Sequence, residues 1–255
     1  MVAHDKRTQV ESYTVGGVRI SCVDHKKAVD LLFRAASEGG GGFITVTSAH
    51  GVVESQSDDA LRHIINSAQM TLADGMPILW VGKLKNAAVK RVSGAEFVEG
   101  IMHDARASRI RHYFYGGQIE TTSRVIARAT ELLGTNAIAG CHCPPFRAAG
   151  EIEDPAVIEQ IAATKPNIIW VGLSTPKQEY WMANHTALFP RTMLVGVGAA
   201  FDFFAGIQSR PPHTVQQIGL EWLFRLIREP KRLWPRYRRV VPGMLKILIV
   251  EAMHR

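Results

Sequence analysis

Between Phe43 and Ala199, short apolar runs alternate with stretches whose apolar residues recur at helical spacing. The runs are FITVT (Phe43 to Thr47), MTLA before Asp74, HYFY before Gly116-Gly117, NAIAG, NIIWVGL before Ser174, and MLVGVG before Ala199. Rich in β-branched or aromatic residues and bounded by turn formers, they predict strands buried on both faces. Helical patterns fill most of the gaps: about 52–68, with Val53, Leu61, Ile64 and Ile65 along one side, then about 95–107, 118–133, 155–164 and 176–188. Such alternation builds βαβ units, so the expectation is an α/β fold with a parallel sheet covered by helices on both faces.

Local signals sharpen the picture. Asp154-Pro155 places an acid cap before a proline at a helix start, and Thr175-Pro176 repeats the arrangement with Gln178 and Glu179 in the first turn. The first forty residues read as a hairpin, Tyr13 to Val23 around Gly16-Gly17, and a helix capped by Asp24. After Arg210-Pro211-Pro212 the character changes. A helical stretch from Ile218 to Glu229 ends at Pro230, the basic run KRLWPRYRR follows, and MLKILIVEAM comes after Pro242-Gly243. This divides the chain into a core at 1–208 and a basic helical appendage at 209–255.

Composition changes this picture in one respect. A chain of 255 residues, 46% hydrophobic and 21% charged, is ordinary for one large domain or a domain with an appendage. Its N-terminus lacks a signal-peptide core, and no apolar run approaches the ~18 residues that span a bilayer, so the expected compartment is the cytoplasm. Cys22, Cys141 and Cys143 are too few and too oddly numbered for a disulfide framework, and CHC at 141–143 has no second ligand pair at zinc-finger spacing. The charge is informative. Residues 225–255 hold nine Lys/Arg and two acids, which accounts for the whole formal excess of +7. The body is neutral and carries no nucleic-acid motif, so a nucleic-acid partner is not expected.

In an open parallel sheet, ligands bind beyond the carboxyl ends of the strands. The candidates there are Thr47-Ser48-Ala49-His50, Asp74-Gly75, Gly116-Gly117-Gln118, Ser174 to Gln178, and Gly198 to Asp202. Gly116-Gly117 opening a helix would let phosphate oxygens approach backbone N–H groups, although glycine pairs are common in turns. At Ser174 to Glu179, Lys177 and Gln178 can reach a ligand, or the segment is a capping box, or both. Asp74-Gly75 is by itself best read as a turn. No P-loop, D-x-D pair or zinc motif occurs, so chemistry without a metal or other cofactor is the simpler expectation.

Several stretches together change the reading of Asp74: LADGMPILW, VSGAEF with Arg91 ahead of it, YFYGG, IIWVGLSTPKQEYW, VGAAFDFFAGIQSRPP and GLEWLFRLIREPKRLWPRY. In this combination and order the chain resembles the bacterial glycosyltransferase family that includes the WecG, TagA and CpsF enzymes. The resemblance implies a Rossmann-like core and a C-terminal appendage that meets the membrane and helps close the active site. It also implies transfer of a sugar, with inversion, from a UDP-sugar to a lipid-linked saccharide of a cell-surface polymer. By the same resemblance Asp74 is the general base, and Gln178 lies near the donor sugar or its diphosphate. Gly116 and Gly117 form the nucleotide-contact loop, and Arg91, Arg225, Arg232 and Arg236 meet a diphosphate. Lys177 either offsets phosphate charge or is solvated, and Asp202 either contacts the nucleotide or caps a turn.

The chain departs from the family pattern at two places. An asparagine usual after the first core strand is replaced by Ser48, or Thr47 in the other register, and Pro235 stands where the first of two arginines is usual. The resulting expectation is an inverting, metal-independent hexosyltransferase or N-acetylhexosaminyltransferase using an undecaprenyl-diphosphate-linked acceptor. It leans to a UDP-glucose type donor for exopolysaccharide, with UDP-N-acetylmannosamine or its uronic acid as the alternative donor. A non-catalytic nucleotide-sugar-binding scaffold is the alternative of another class. Basic residues in 225–255, with Trp234 and Tyr237, suit an anionic membrane surface at the inner face. Residues 243–254 either lie on lipid or pack on the core. Monomer and homo-oligomer both remain open.

Overall fold

The computed structural model describes residues 10–146, 148–212, 214, 215 and 219–253. A six-stranded parallel sheet carries the molecule. Its strands are β3 (Gly42–Thr47), β4 (Met70–Ala73), β5 (His112–Gly116), β6 (Ile138–His142), β7 (Ile168–Gly172) and β8 (Met193–Gly196), in the order β4-β3-β8-β7-β5-β6. Each expected apolar run supplies one of them. A two-stranded antiparallel hairpin, β1 (Ser12–Val15) and β2 (Val18–Ser21), stands apart from the sheet order. Asp24 accepts from Lys27 N at 2.9 Å and starts α1 (His25–Glu38), as the sequence predicts.

Two helical expectations needed revision. The stretch 52–68 is two helices, α2 (Ala49–Glu54) and α3 (Asp59–Ser67), because Asp58 caps the second by accepting from Leu61 N at 2.9 Å. An unanticipated helix, α4 (Met76–Leu84), begins directly after Asp74-Gly75, where Gly75 at φ 111° makes a turn that a side chain would strain and Pro77 pre-sets the first turn. The remaining core helices are α5 (Gly94–Met102), α6 (Ile119–Leu133), α7 (Pro155–Ala163), α8 (Lys177–His185) and α9 (Ala200–Phe204). They sandwich the sheet, with Phe97, Phe114, Trp170 and Phe201 at the centre of one layer and Tyr115, Trp181, Met182 and Leu194 in the other.

The C-terminal segment forms α10 (Glu221–Arg228) and α11 (Pro230–Met253). Pro235 and Pro242 both lie inside α11, each removing one helical N–H donor. One side of α11 is buried through Leu233, Val240, Met244 and Ile247. Glu251 pins its far end, accepting from Gly16 N at 2.9 Å and pairing with Lys85 Nζ at 2.7 Å. Between the open alternatives for residues 243–254, that side is therefore packed on the core. The opposite side shows Trp234, Val241, Leu245, Ile249, Val250 and Met253 to solvent. Among the described residues no helix is long and apolar enough to cross a membrane.

Gly243 is where α11 crosses α2, and a Cβ there would lie 2.7 Å from a methyl of Val53. Since β-branched Val53 has little rotamer freedom in a helix, Gly243→Val should cost about 1–3 kcal/mol by overpacking. Urea unfolding of the two proteins, with an unchanged m-value, would check this.

Candidate functional site

Strand order places the site. The chain runs from β3 to β4 on one side and then crosses to build β5 to β7 on the other, so the sheet reverses its winding direction beside β3 and β8. A polar chamber of about 180 Å³ opens there, lined by Ser48 after β3, Asp74 after β4, Thr175 and Gln178 after β7, and Gly198 after β8. A second chamber of about 320 Å³ lies under the C-terminal segment. Met76, Pro77 and Trp80 of α4 form one wall; Trp222, Tyr237, Val240, Met244 and Leu248 form the other. Ser48, His50, Asp74, Arg91, Glu221, Arg225 and Arg236 line both, so Asp74 stands where a polar room meets an apolar one.

Backbone bonding fixes Asp74 at that junction. Its N–H donates to Thr47 O at 2.9 Å, and Val92 N donates to Ala73 O at 2.9 Å, tying the loop that carries Arg91 to the end of β4. The side chain keeps 31% of its surface open, yet protein surrounds it on its other sides. Desolvation therefore dominates, and its pKa rises to about 6 although Arg91 and Arg225 pull it down. Arg91 Nη2 stands 3.6 Å from Asp74 Oδ1 but 2.6 Å from Glu221 Oε2.

Positive charge is concentrated in the polar chamber. Arg91, Arg210, Arg225, Arg232 and Arg236 line it against two carboxylates, Asp74 and Glu221. Desolvation and the neighbouring Arg225 and Arg232 lower the pKa of Arg236, and the buried Nε of Arg225 has no partner among the described residues. Arg232 is partly neutralised by Glu229 at 2.5 Å. Crowded guanidinium groups with unused donors suit a polyanion such as a diphosphate.

The other candidate residues divide. Ser48 lines both chambers, whereas the Thr47 side chain is buried, with its hydroxyl 3.4 Å from that of Thr45, so the register offers Ser48. Gln178 lines the polar chamber. Gly116, Gly117, Lys177 and Asp202 line neither chamber. The N–H of Gly117 already donates to Gly172 O at 3.1 Å; a Cβ on Gly116 would lie 2.8 Å from the Gly172 backbone and one on Gly117 2.8 Å from Thr122 Oγ1, so packing alone calls for both glycines. Lys177 Nζ sits 3.3 Å from the centroid of the Phe146 ring, and Asp202 accepts from Thr121 Oγ1 at 3.4 Å.

A model of the Glycosyl transferase WecG/TagA/CpsF family matches residues 13–255. The chain belongs to this family. Membership makes it a glycosyltransferase of cell-surface polysaccharide synthesis, with a nucleotide-sugar donor and a lipid-linked acceptor as the general substrate classes. At the junction, Asp74 has an arginine-lined room on one side and an apolar room on the other.

Sequence reasoning missed several lining residues. His50 was noted only as part of a strand exit, yet it lines both chambers, and burial with Arg236 and Arg239 nearby lowers its pKa to about 4. It is therefore neutral at pH 7. Glu221 and Trp222 arrive from a helix whose placement no local pattern announces, their one signal being the matching stretch GLEWLFRLIREPKRLWPRY; Tyr237, which ends that stretch and was expected at a membrane surface, is half-buried and lines the apolar chamber.

Asp74 binds its proton more tightly in the folded chain than unfolded, so its charge lowers stability progressively as pH rises from 3.8 to about 6. Asp74→Asn should accordingly melt at or above the wild-type temperature at pH 8, with the gap closing as pH falls through that window. A melting temperature clearly below wild type at pH 8 would contradict a strained, desolvated carboxylate.

Proposed function

We propose that the protein transfers a hexose or N-acetylhexosamine, with inversion and without a metal, from a UDP-sugar to an undecaprenyl-diphosphate-linked saccharide. In this reading the polar chamber holds the donor, with its diphosphate against Arg225, Arg232 and Arg210. Asp74 takes the proton from an acceptor hydroxyl as that oxygen attacks the anomeric carbon, while UDP leaves on the opposite face. A carboxylate with a pKa near 6 is a stronger base than an ordinary one and is still mostly ionised at neutral pH. The arginines supply the charge stabilisation that a metal would otherwise give the leaving group. The apolar chamber receives the first part of the acceptor's lipid, with Arg91 and Arg236, which line both chambers, for the acceptor diphosphate.

The observation that carries this reading is the position of Asp74 on the shared wall of two chemically opposite chambers. Residues 209–255 act in it as an appendage that completes the site. The solvent-facing side of α11, with its basic residues, rests on the inner face of the membrane; anionic lipids attract such residues by about 1 kcal/mol per Lys or Arg near the surface. The donor leans to UDP-glucose for an exopolysaccharide, because Ser48 offers no amide for a 2-acetamido group. UDP-N-acetylmannosamine or its uronic acid is the second reading.

UDP release should be followed with a panel of UDP-sugars and a lipid-diphosphate saccharide in vesicles, with and without EDTA. The expected result is turnover that EDTA leaves intact, a fall of about 10²–10⁴-fold in kcat for Asp74→Asn, and a kcat/KM profile that drops below about pH 6. Full activity in the Asn variant would remove Asp74 as the base, and binding without turnover in wild type would favour a nucleotide-sugar-binding scaffold.

The membrane part has its own check. Ile249→Glu with Met253→Glu, on the open side of α11 and outside both chambers, should weaken co-sedimentation with anionic vesicles and lower turnover of the lipid acceptor several-fold. UDP binding in solution should stay unchanged.

A further inference from the structure

At the start of α8 two polar side chains are almost fully enclosed: Gln178 is 2% exposed and Glu179 1%. They are bonded to each other. Gln178 donates from Nε2 to Glu179 Oε1 at 2.9 Å, and the Thr175 hydroxyl donates to the same oxygen at 3.0 Å. The carboxamide oxygen of Gln178 and the second carboxyl oxygen of Glu179 have no partner among the described residues. Only Gln178 of the pair lines the polar chamber.

The surroundings leave the carboxamide its room. A Cβ added at Gly196 would lie 3.3 Å from Gln178 Cδ and Nε2, and one at Gly198 would lie 3.6 Å from Gln178 Oε1. Gly198 also lines the chamber, so the unused oxygen is on that side, while the amide nitrogen is committed to the acid behind it. An amide held this way presents its oxygen on the chamber side, with one of its two N–H groups spent on the acid. It suits a ligand O–H or N–H and disfavours a phosphate oxygen, which would meet it lone pair to lone pair.

We infer that Glu179 is a positioning residue: it holds the Gln178 carboxamide with its oxygen toward the chamber, so that this wall recognises a hydroxyl or amide N–H of the sugar and not the diphosphate. Burial pushes the Glu179 carboxyl above the usual carboxylate range, against the bonds from Gln178 and Thr175. The bonding pattern needs no charge, because the shared oxygen accepts both donors with the proton on the other one. A neutral amide in place of the acid keeps that acceptor, whereas an alkyl group removes it and frees the carboxamide to turn over.

This rests on the donor-binding reading of the polar chamber, and the test separates the two. The full chain is titrated calorimetrically with UDP and with UDP-glucose, UDP-N-acetylglucosamine and UDP-N-acetylmannosamine, for wild type, Glu179→Gln and Glu179→Leu. The quantity read is the gain in affinity that the sugar adds to UDP. The inference expects Glu179→Gln to keep that gain and Glu179→Leu to lose it by a few-fold to about tenfold, the size of one hydrogen bond, with UDP affinity unchanged. If Glu179→Leu does not fold, Gln178→Leu reads the same ratio and should lose the same gain. A retained gain in the leucine variants, a loss in Glu179→Gln, or an equal weakening of UDP itself would overturn the positioning role while leaving UDP binding in place. Failure of wild type to bind UDP, or to gain affinity from any of the sugars, would overturn the positioning role at its premise, and the former would also remove the glycosyltransferase donor site.

Discussion

The guanidinium of Arg91 is shared unequally between two carboxylates, and the chemistry available at the site follows from that division. Glu221 holds it at 2.6 Å and Asp74 only at 3.6 Å. A close bidentate pair with Asp74 would stabilise the ionised form and make it a poor base. Total separation would leave a desolvated carboxyl protonated at neutral pH. The intermediate spacing yields a pKa of about 6. The same ion pair spans 130 residues of sequence and fastens α10 over the exit of β4. The tuning of Asp74 and the placement of α10 thus share one contact.

A second consequence concerns charge that the chain leaves uncompensated. Arg225, Arg232 and Arg236 approach one another closely enough to lower the pKa of Arg236, and Arg225 keeps a buried donor unused. Such a cluster raises the energy of the empty site and lowers that of a site holding an anion. In the proposed reaction this is useful twice. It favours the donor diphosphate at binding, and it favours UDP more strongly still as negative charge grows on the departing oxygen. His50 adds no charge at neutral pH, since burial, with Arg236 and Arg239 nearby, keeps it unprotonated.

The parts legible in the sequence were those fixed by local pattern. Six buried strands could be read because parallel strands covered on both faces are continuous apolar runs, and the exits of β3, β4, β7 and β8 line the polar chamber. The break between α2 and α3 was overlooked, as one acid cap at Asp58 outweighs a continuous apolar periodicity. Helix α4 was hidden because MPILW, uniformly apolar, reads as well as a strand. Of the residues that the family motifs named, Asp74, Gln178 and the four arginines line the chambers, whereas the two glycines and Lys177 lie outside them. A backbone carbonyl had already taken the Gly117 N–H, and an aromatic ring had taken the lysine. Long-range packing of that kind leaves no trace in spacing.

The C-terminal helix explains why an enzyme with this reading would need an apolar room at all. Val241 and Leu245 belong both to the wall of that chamber and to the solvent-facing side of α11. The chamber therefore opens on the surface that the proposal lays against the bilayer. Each CH₂ group drawn from lipid into water costs about 0.8 kcal/mol, so a polyprenyl chain crossing an aqueous gap to reach Asp74 would lose several kcal/mol for every isoprene-sized unit exposed. An apolar passage continuous with the membrane surface removes that cost. Met76 and Tyr237 share its wall with Arg91 and Arg236, and in the proposed reaction those arginines meet the diphosphate at which the acceptor's hydrocarbon ends.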